Sequence, residues 1–431
     1  MNMNIMNVDY STKIPNNVNL AEDRQVLKAL EGWHPGYINW WNDMGPEGFQ
    51  ESLVYLRTAV SIDPKGWAKF DYVKMPEYRW GILLAPRQDD RLVNFGAHKG
   101  EKAWQDVPGE YRAMLRRLVE VSGRPLSFTL LDISIYPGRW QTLLREVDRA
   151  NRDGLRICGQ VAGRPVALLY GLELSFHPFS TCPSYNAVAH LPQPEKLARL
   201  RDPAMKARLL TEEPSYRNPQ MLAFMRSVAN MFVLGDPPDY TPPADQRLDA
   251  RAAKLGITPL ELAYDLLVSG DGRTILFHPG ANYSDCSDAN MAAMLRDPHT
   301  IIALGDGGAH YGLICDASYT THALTYWMRD RRGERLPLAW TVQQLTDTPA
   351  RAVGLGDRGR LVAGLKADIN LIDLDRLKVS APHPVHNLPG GGRRLEQKAE
   401  GYRATIVSGE VTYRDGVFTG ALPGRLVRGA R

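Results

Sequence analysis

No apolar run in the sequence approaches the roughly 18–20 residues of a membrane-spanning helix, so a helical membrane protein is not expected. Cysteine is scarce. Cys158, Cys182, Cys286 and Cys315 are widely spaced and form no C-x-x-C, which excludes a disulfide framework and leaves free, mostly buried thiols as the expectation. An excess of one charge is also missing: the formal net charge is +4 and is spread along the chain, so neither nucleic acid nor a membrane surface is an expected partner. The first ten residues have neither a basic stretch nor an apolar core, and a cytoplasmic location is expected. The most consequential gap concerns histidine: among ten His, no two stand two residues apart. Imidazoles at that spacing on a strand point the same way and can grip one metal ion. The nearest pair here is His383 and His386, with Pro384 and Val385 between them.

What is present is an ordinary globular mixture, 44% hydrophobic and 23% charged over 431 residues, enough for two or three domains. Composition changes near residue 123. Lysine and arginine are comparably frequent before it, whereas arginine far outnumbers lysine after it. Trp33, Trp40, Trp41, Trp67, Trp80 and Trp104 precede the change and all cysteines follow it. The turn residues of Ser122-Gly-Arg-Pro125 mark the junction.

Apolar spacing predicts helices over residues 23–31 and 111–121, with short strands at 80–85 and 92–95. Beyond the junction, strands and helices alternate. Strands are expected at 126–131, 155–161, 274–278 and 300–304, and helices at 139–150, from Thr258 onward and at 289–296. Thr258 is placed to cap its helix and Pro259 suits the first turn. Such alternation argues for parallel βα units, about half of a closed barrel. The Pro-rich stretch 236–243 reads as a stiff connector or lid. After residue 359 the pattern turns all-β, with two short strands over 359–373 and a hairpin across Ser408-Gly409.

The stretch Thr300-Ile-Ile-Ala-Leu-Gly-Asp-Gly-Gly-Ala-His310 carries the clearest chemical signal. An apolar strand ends in glycines that leave space around one carboxylate, Asp306. The C-terminal ends of barrel strands are where such enzymes do their chemistry. A simple Gly-rich turn is the bland alternative.

Further segments accompany this motif: Gly159-Gln-Val-Ala-Gly-Arg-Pro-Val166, Phe176-His-Pro-Phe179, Cys315-Asp-Ala-Ser318, Thr346-Asp-Thr-Pro-Ala-Arg-Ala-Val-Gly-Leu355, Gly364-Leu-Lys-Ala-Asp-Ile369 and Tyr402-Arg-Ala-Thr-Ile-Val407. In this order they resemble the C-terminal part of the metal-dependent amidohydrolases, close to the N-acyl-D-amino-acid deacylases. The resemblance implies an α/β fold: a partial (β/α)8 barrel with a small C-terminal β domain, preceded here by a mainly helical N-terminal segment. It implies a hydrolase of non-peptide C–N bonds with zinc as cofactor and an N-acyl-D-amino acid as small-molecule substrate. Asp306 would be both the catalytic acid–base and a metal ligand. His278, at a strand end, is a candidate second ligand or a structural histidine. His310, beside Asp306, and Arg329, able to face a carboxylate, are candidate substrate contacts. The family's H-x-H, its first four strands and one half of its β domain have no counterpart, so an inactive chain or self-association through the incomplete barrel is also expected.

The first 120 residues resemble a different family. Ile14-Pro-Asn-Asn-Val-Asn-Leu20, Asn39-Trp-Trp-Asn-Asp-Met-Gly-Pro46, Tyr55-Leu-Arg-Thr-Ala-Val-Ser61, Asp63-Pro-Lys-Gly-Trp67 and Val107-Pro-Gly-Glu-Tyr-Arg112 are similar to the N-terminus of benzoyl-CoA oxygenase component B. The helices holding that family's two irons would follow Arg117, where this chain has already changed, so a di-iron centre is not expected. The expected organisation is therefore 1–122 oxygenase-like, 123–358 the C-terminal half of a barrel and 359–431 a small β domain, as in a gene fusion. A non-catalytic fusion remnant is the alternative to a hydrolase.

Overall fold

In a computed structural model of the chain, residues 93–95, 115–120, 122–134, 136–216, 219–304, 310–388 and 392–427 are described. The helix expected at 23–31, the strand at 80–85 and the six early tryptophans lie outside them. The chain falls into two compact units: Met1–Thr129 with Thr142–Gly159 and Val427–Arg431, and Leu130–Gln141 with Gln160–Leu426.

In the first unit, β1 (Val93–Phe95) runs parallel to β2 (Leu126–Thr129), with Val93 opposite Leu126. The Arg139–Arg152 helix turns Leu144, Val147 and Ala150 inward, as the apolar spacing predicts. Asn151 closes its end, donating to the carbonyls of Val147 at 2.8 Å and Ile157 at 2.7 Å. The chain then enters β3 (Ile157–Val161), and Leu126 N–H donates to the Arg156 carbonyl at 2.9 Å.

The second unit is built on three strands, β4 (Val166–Tyr170), β5 (Phe232–Leu234) and β6 (Ile275–Ala281), in the order β4-β6-β5. Both pairings are antiparallel, with Leu168 opposite His278 and Phe232 opposite Phe277. The parallel βα reading therefore does not extend to this sheet. Side chains alternate across it. Ala167, Leu169, Phe232, Leu234, Ile275 and Phe277 fill one buried cluster, while Tyr170 and Leu276 face a second, larger one. Burial on both faces gives β4 a continuous apolar run with no period of two, and β4 and β5 thus escape the sequence reading. The larger cluster is closed by the helices Gln193–Leu200, Pro203–Thr211, Leu248–Leu255 and Pro259–Val268. Their caps follow the sequence: Asp202 accepts from Ala204 N–H at 2.8 Å, and Thr258 Oγ1 accepts from Glu261 N–H at 3.1 Å.

The helix Ala289–Arg296 leads into β7 (Thr300–Ile302), whose first residue is locked by Thr300 Oγ1 donating to the Met294 carbonyl at 2.7 Å. The remaining strands are short: β8 (Ile369–Ile372), β9 (Lys378–Val379), β10 (His383–Leu388), β11 (Gly392–Glu396), β12 (Ala399–Glu400), β13 (Tyr402–Val407), β14 (Glu410–Arg414) and β15 (Val417–Phe418). A four-stranded sheet in the order β15-β14-β13-β8 is antiparallel throughout, and its β13–β14 hairpin turns at Ser408-Gly409 as expected. Of the two strands expected over 359–373 only β8 forms; Leu361 and Val362 lie exposed in the loop before it. Leu371, Tyr413, Val417 and Phe418 are exposed as well. The α/β class holds for the described chain, with this small sheet as its C-terminal part.

The ranking of these contacts can be measured by urea unfolding. Phe277→Ala, in the central strand, should cost about 3–5 kcal/mol by cavity formation, whereas Thr258→Ala should cost about 1 kcal/mol through the lost cap. Equal losses would mean that the sheet is not the centre of the unit.

Candidate functional site

Asp306, with the rest of 305–309, lies outside the described residues; the chain on either side of it does not. Before it, Ala303 N–H donates to the Val161 carbonyl at 3.1 Å, just past β7. After it, the chain is fastened at consecutive carbonyls. Tyr311 accepts from Leu395 N–H at 2.7 Å, Gly312 from Ser175 N–H at 3.0 Å and Leu313 from Leu169 N–H at 2.8 Å. Gly312 suits this approach: a Cβ there would fall 2.2 Å from Ser175 Oγ, which would have to turn away.

The fastening continues into a buried charge. Arg164, 1% exposed, follows β3 in the chain and pairs with Asp316, 7% exposed. Its Nη2 also donates to the Cys315 carbonyl at 2.7 Å, and Nη1 to Ser318 Oγ at 2.9 Å. Ser318 Oγ donates to Gln397 Oε1 at 2.5 Å, and Gln397 Nε2 donates to Tyr240 Oη at 2.7 Å and to the Ser380 carbonyl at 2.8 Å. The Tyr240 ring lies under the Arg164 guanidinium, 4.0 Å from centroid to Cζ, which closes a ring of interactions. Burial pushes the Asp316 carboxyl up, and the Arg164 charge and hydrogen bond oppose that shift. Tyr240 sits in the Pro-rich stretch and is buried, and the Pro242 carbonyl accepts from Tyr283 Oη at 2.7 Å, so the stretch is anchored at these two residues while Asp236, Pro237, Asp239 and Pro243 stay exposed.

Beyond Tyr240 a run of ring contacts continues to His322. Its ring meets Tyr240 edge-on at 5.6 Å and stacks on Tyr326 at 5.0 Å. Tyr326 Oη donates to Asp288 Oδ2 at 2.7 Å, and Arg331 grips the same carboxylate in a two-point fork at 2.7 and 2.9 Å. Burial, then the Arg164 charge, hold the pKa of His322 at about 3.

Of the residues singled out in the sequence, His278, His310 and Arg329 are described, and each stands in a different setting. His278 is buried on β6 and stacked on Phe224 at 4.2 Å; burial lowers its pKa to about 4, and its Nδ1 has no partner among the described residues. His310 is exposed in a left-handed backbone conformation, φ 53°. Arg329 is turned to Asp330 at 2.7 Å and to the Leu374 carbonyl at 2.5 Å, so its fork is already engaged. The four cysteines are free, as expected, and only Cys182 is fully buried. Burial raises the Cys158 and Cys315 thiols to about 11, which leaves them poor nucleophiles at neutral pH.

The zinc ligand expected at Asp306 lies outside the described residues. Among the described residues no three His, Cys, Asp or Glu side chains converge as a metal site, and the unpaired nitrogen of His278 stands in an apolar wall. One Glu-x-x-His spacing, Glu31 to His34, falls outside the described residues and is followed at once by Pro35, which disfavours a helix carrying the pair. No helix among the described residues is long and apolar enough to cross a membrane.

The described chain is an α/β unit with a small C-terminal sheet. Residues 102–413 match the amidohydrolase family, and the chain belongs to it. Residues in the N-terminal part are similar to benzoyl-CoA oxygenase component B of Aromatoleum evansii, 58% identical over 116 residues, or 27% of this chain and 24% of that protein. The solved D-aminoacylase structures show weak likeness. One, solved to define a novel subset of amidohydrolases, has a TM-score of 0.38 at 15% identity over 76% of this chain and 54% of its own. Another, solved to examine a binuclear metal centre, has a TM-score of 0.39 at 13% identity over 77% and 54%. The chain thus spans about half the length of those structures and about a quarter of the oxygenase component.

The buried histidines make a pH prediction. His177 and His322 are held at about 3 and His278 at about 4, in each case first by burial, while an unfolded histidine titrates near 6.5. The unfolded chain therefore binds more protons between those values. Stability is complete above pH ~6.5 and is lost as pH falls, by up to about 1.4 kcal/mol per pH unit for each histidine. Urea midpoints at pH 7.5, 6.0 and 5.0 should decline in that order, and His322→Gln should flatten the decline; a flat profile in the parent chain would show the imidazoles to be charged or exposed.

Proposed function

We propose that the chain acts as a hydrolase of the amide C–N bond of N-acyl-D-amino acids, with Asp306 as the acid–base group. The observation that supports this most directly is that the segment carrying Asp306 follows β7 in the chain and that the described chain before and after it is hydrogen-bonded in place. In the reaction, water adds to the amide carbonyl as the Asp306 carboxylate takes its proton. The C–N bond then breaks and the same proton passes to the leaving amine. His310 is the nearest described polar side chain after Asp306 in sequence and is our candidate for contacting the substrate carboxylate. Arg329 could do so only by releasing Asp330.

A second reading is favoured by the missing ligand set: a non-catalytic product of fusion between an oxygenase-like head and a hydrolase-like tail. In that case the exposed apolar residues of the C-terminal sheet would serve self-association rather than chemistry.

Two measurements separate these readings. Incubating the purified chain with a panel of N-acyl-D- and N-acyl-L-amino acids should release free amino acid from the D series, and Asp306→Ala should lower the rate on the order of 10²-fold or more. No turnover in the parent chain would favour the fusion reading. Elemental analysis of the same sample tests the metal independently: about one zinc per chain, lost in Asp306→Ala, would show that a metal site exists and that hydrolysis does not rest on Asp306 alone.

A further inference from the structure

We infer that Lys196, Arg393 and His177 form a binding site for a small oxyanion, a carboxylate or a phosphate group carried by a solute. The site lies within the second unit and does not depend on the hydrolase reading.

Lys196 stands on the helix Gln193–Leu200 and is only 9% exposed. Burying an ammonium is costly unless an anion meets it. Among the described residues no carboxylate comes within ion-pair distance of Lys196, and Glu173, which acts on it from farther away, is engaged by Arg273 at 3.3 Å. The other groups at this place are donors. Arg393, half-buried on β11, adds its charge to that of Lys196 and has no carboxylate partner of its own among the described residues. His177 is 2% exposed, and its Nδ1 accepts from Phe179 N–H at 3.3 Å, which leaves the proton on Nε2. That second nitrogen has no partner among the described residues, and the Lys196 charge reaches the ring. The packing ties these groups together. The rings of His177 and Tyr185 meet edge to face at 4.2 Å, and Tyr185 also feels the Arg393 charge. Leu200, one turn beyond Lys196, lines the same apolar cavity as His177 and Tyr185. Two cations and an N–H without an acceptor make a place that lacks one negative charge. An oxyanion supplies it: the Arg393 fork suits two oxygens of one group, Lys196 acts as a point charge and His177 as a neutral donor.

The test is calorimetric titration of the full chain, in a low-salt buffer without other oxyanions, with sodium phosphate and separately with sodium acetate. One site per chain should appear, with a dissociation constant of about 1 mM or tighter. Tighter binding of phosphate assigns the site to phosphate groups, and tighter binding of acetate assigns it to carboxylates. Lys196→Met and Arg393→Gln should each weaken binding by about tenfold or more. An anion that binds only the folded chain should also raise the urea midpoint of the parent, and raise it less in either variant. Lys196→Met replaces a buried, unpaired ammonium with an apolar side chain of similar length and should fold; Arg393→Gln, at a half-buried position, decides the matter if it does not. Absence of binding by both readouts would overturn the inference. So would folded variants that bind as tightly as the parent, or that gain as much stability from the anion.

Discussion

The Arg164–Asp316 pair sits where neither charge meets water, and much of the second unit is arranged to tolerate that. Two charges withdrawn from solvent are costly, and removing one partner of such a pair typically costs about 3–5 kcal/mol because the other is left uncompensated. The compensation here comes from several distant segments: the turn between β3 and β4, the Pro-rich connector, the chain at 315–318 and the link between β11 and β12. None of these has regular structure of its own at the point of contact. The ion pair gives them a common fixed point, and the helices and strands around it hold the backbone that brings them there.

The same economy of polar groups shapes the rest of the core. Three imidazoles, His177, His278 and His322, are buried among aromatic rings. Desolvation keeps each neutral, so they behave as flat packing elements with one hydrogen-bonding edge. A neutral imidazole is also the form that binds metal, but ligation needs several such edges aimed at one point, and the described residues do not supply that. Membership of the amidohydrolase family is carried by the match over residues 102–413, with no metal ligand set among the described residues.

Much of the local structure was legible in the sequence because it is governed by neighbours a few residues away. Thr258-Pro259 begins a helix, the spacing over 289–296 forms one with the expected bounds, and Ser408-Gly409 turns a hairpin. What escaped depends on partners far along the chain. β4 pairs with a strand more than a hundred residues later, and its apolar run does not reveal direction. Arg164 stood in a segment that carried the family resemblance, yet nothing near it announces a carboxylate 152 residues away. The candidate site shows the same division: the Gly-rich turn around Asp306 was conspicuous, whereas the ring that fastens the following chain became visible only in three dimensions.

The strand order β4-β6-β5 also constrains how the unit can be made. The central strand is the last of the three to be synthesised, so β4 and β5 have no partner until Ile275–Ala281 emerges from the ribosome. The intervening helices close over short sequence separations and can form while the sheet is still absent, because local contacts require less loop closure. During that interval the apolar face destined for β6 is open, and the nascent unit is then most exposed to misassociation. Pausing of translation or a holding chaperone would matter most in the window between synthesis of β5 and release of β6.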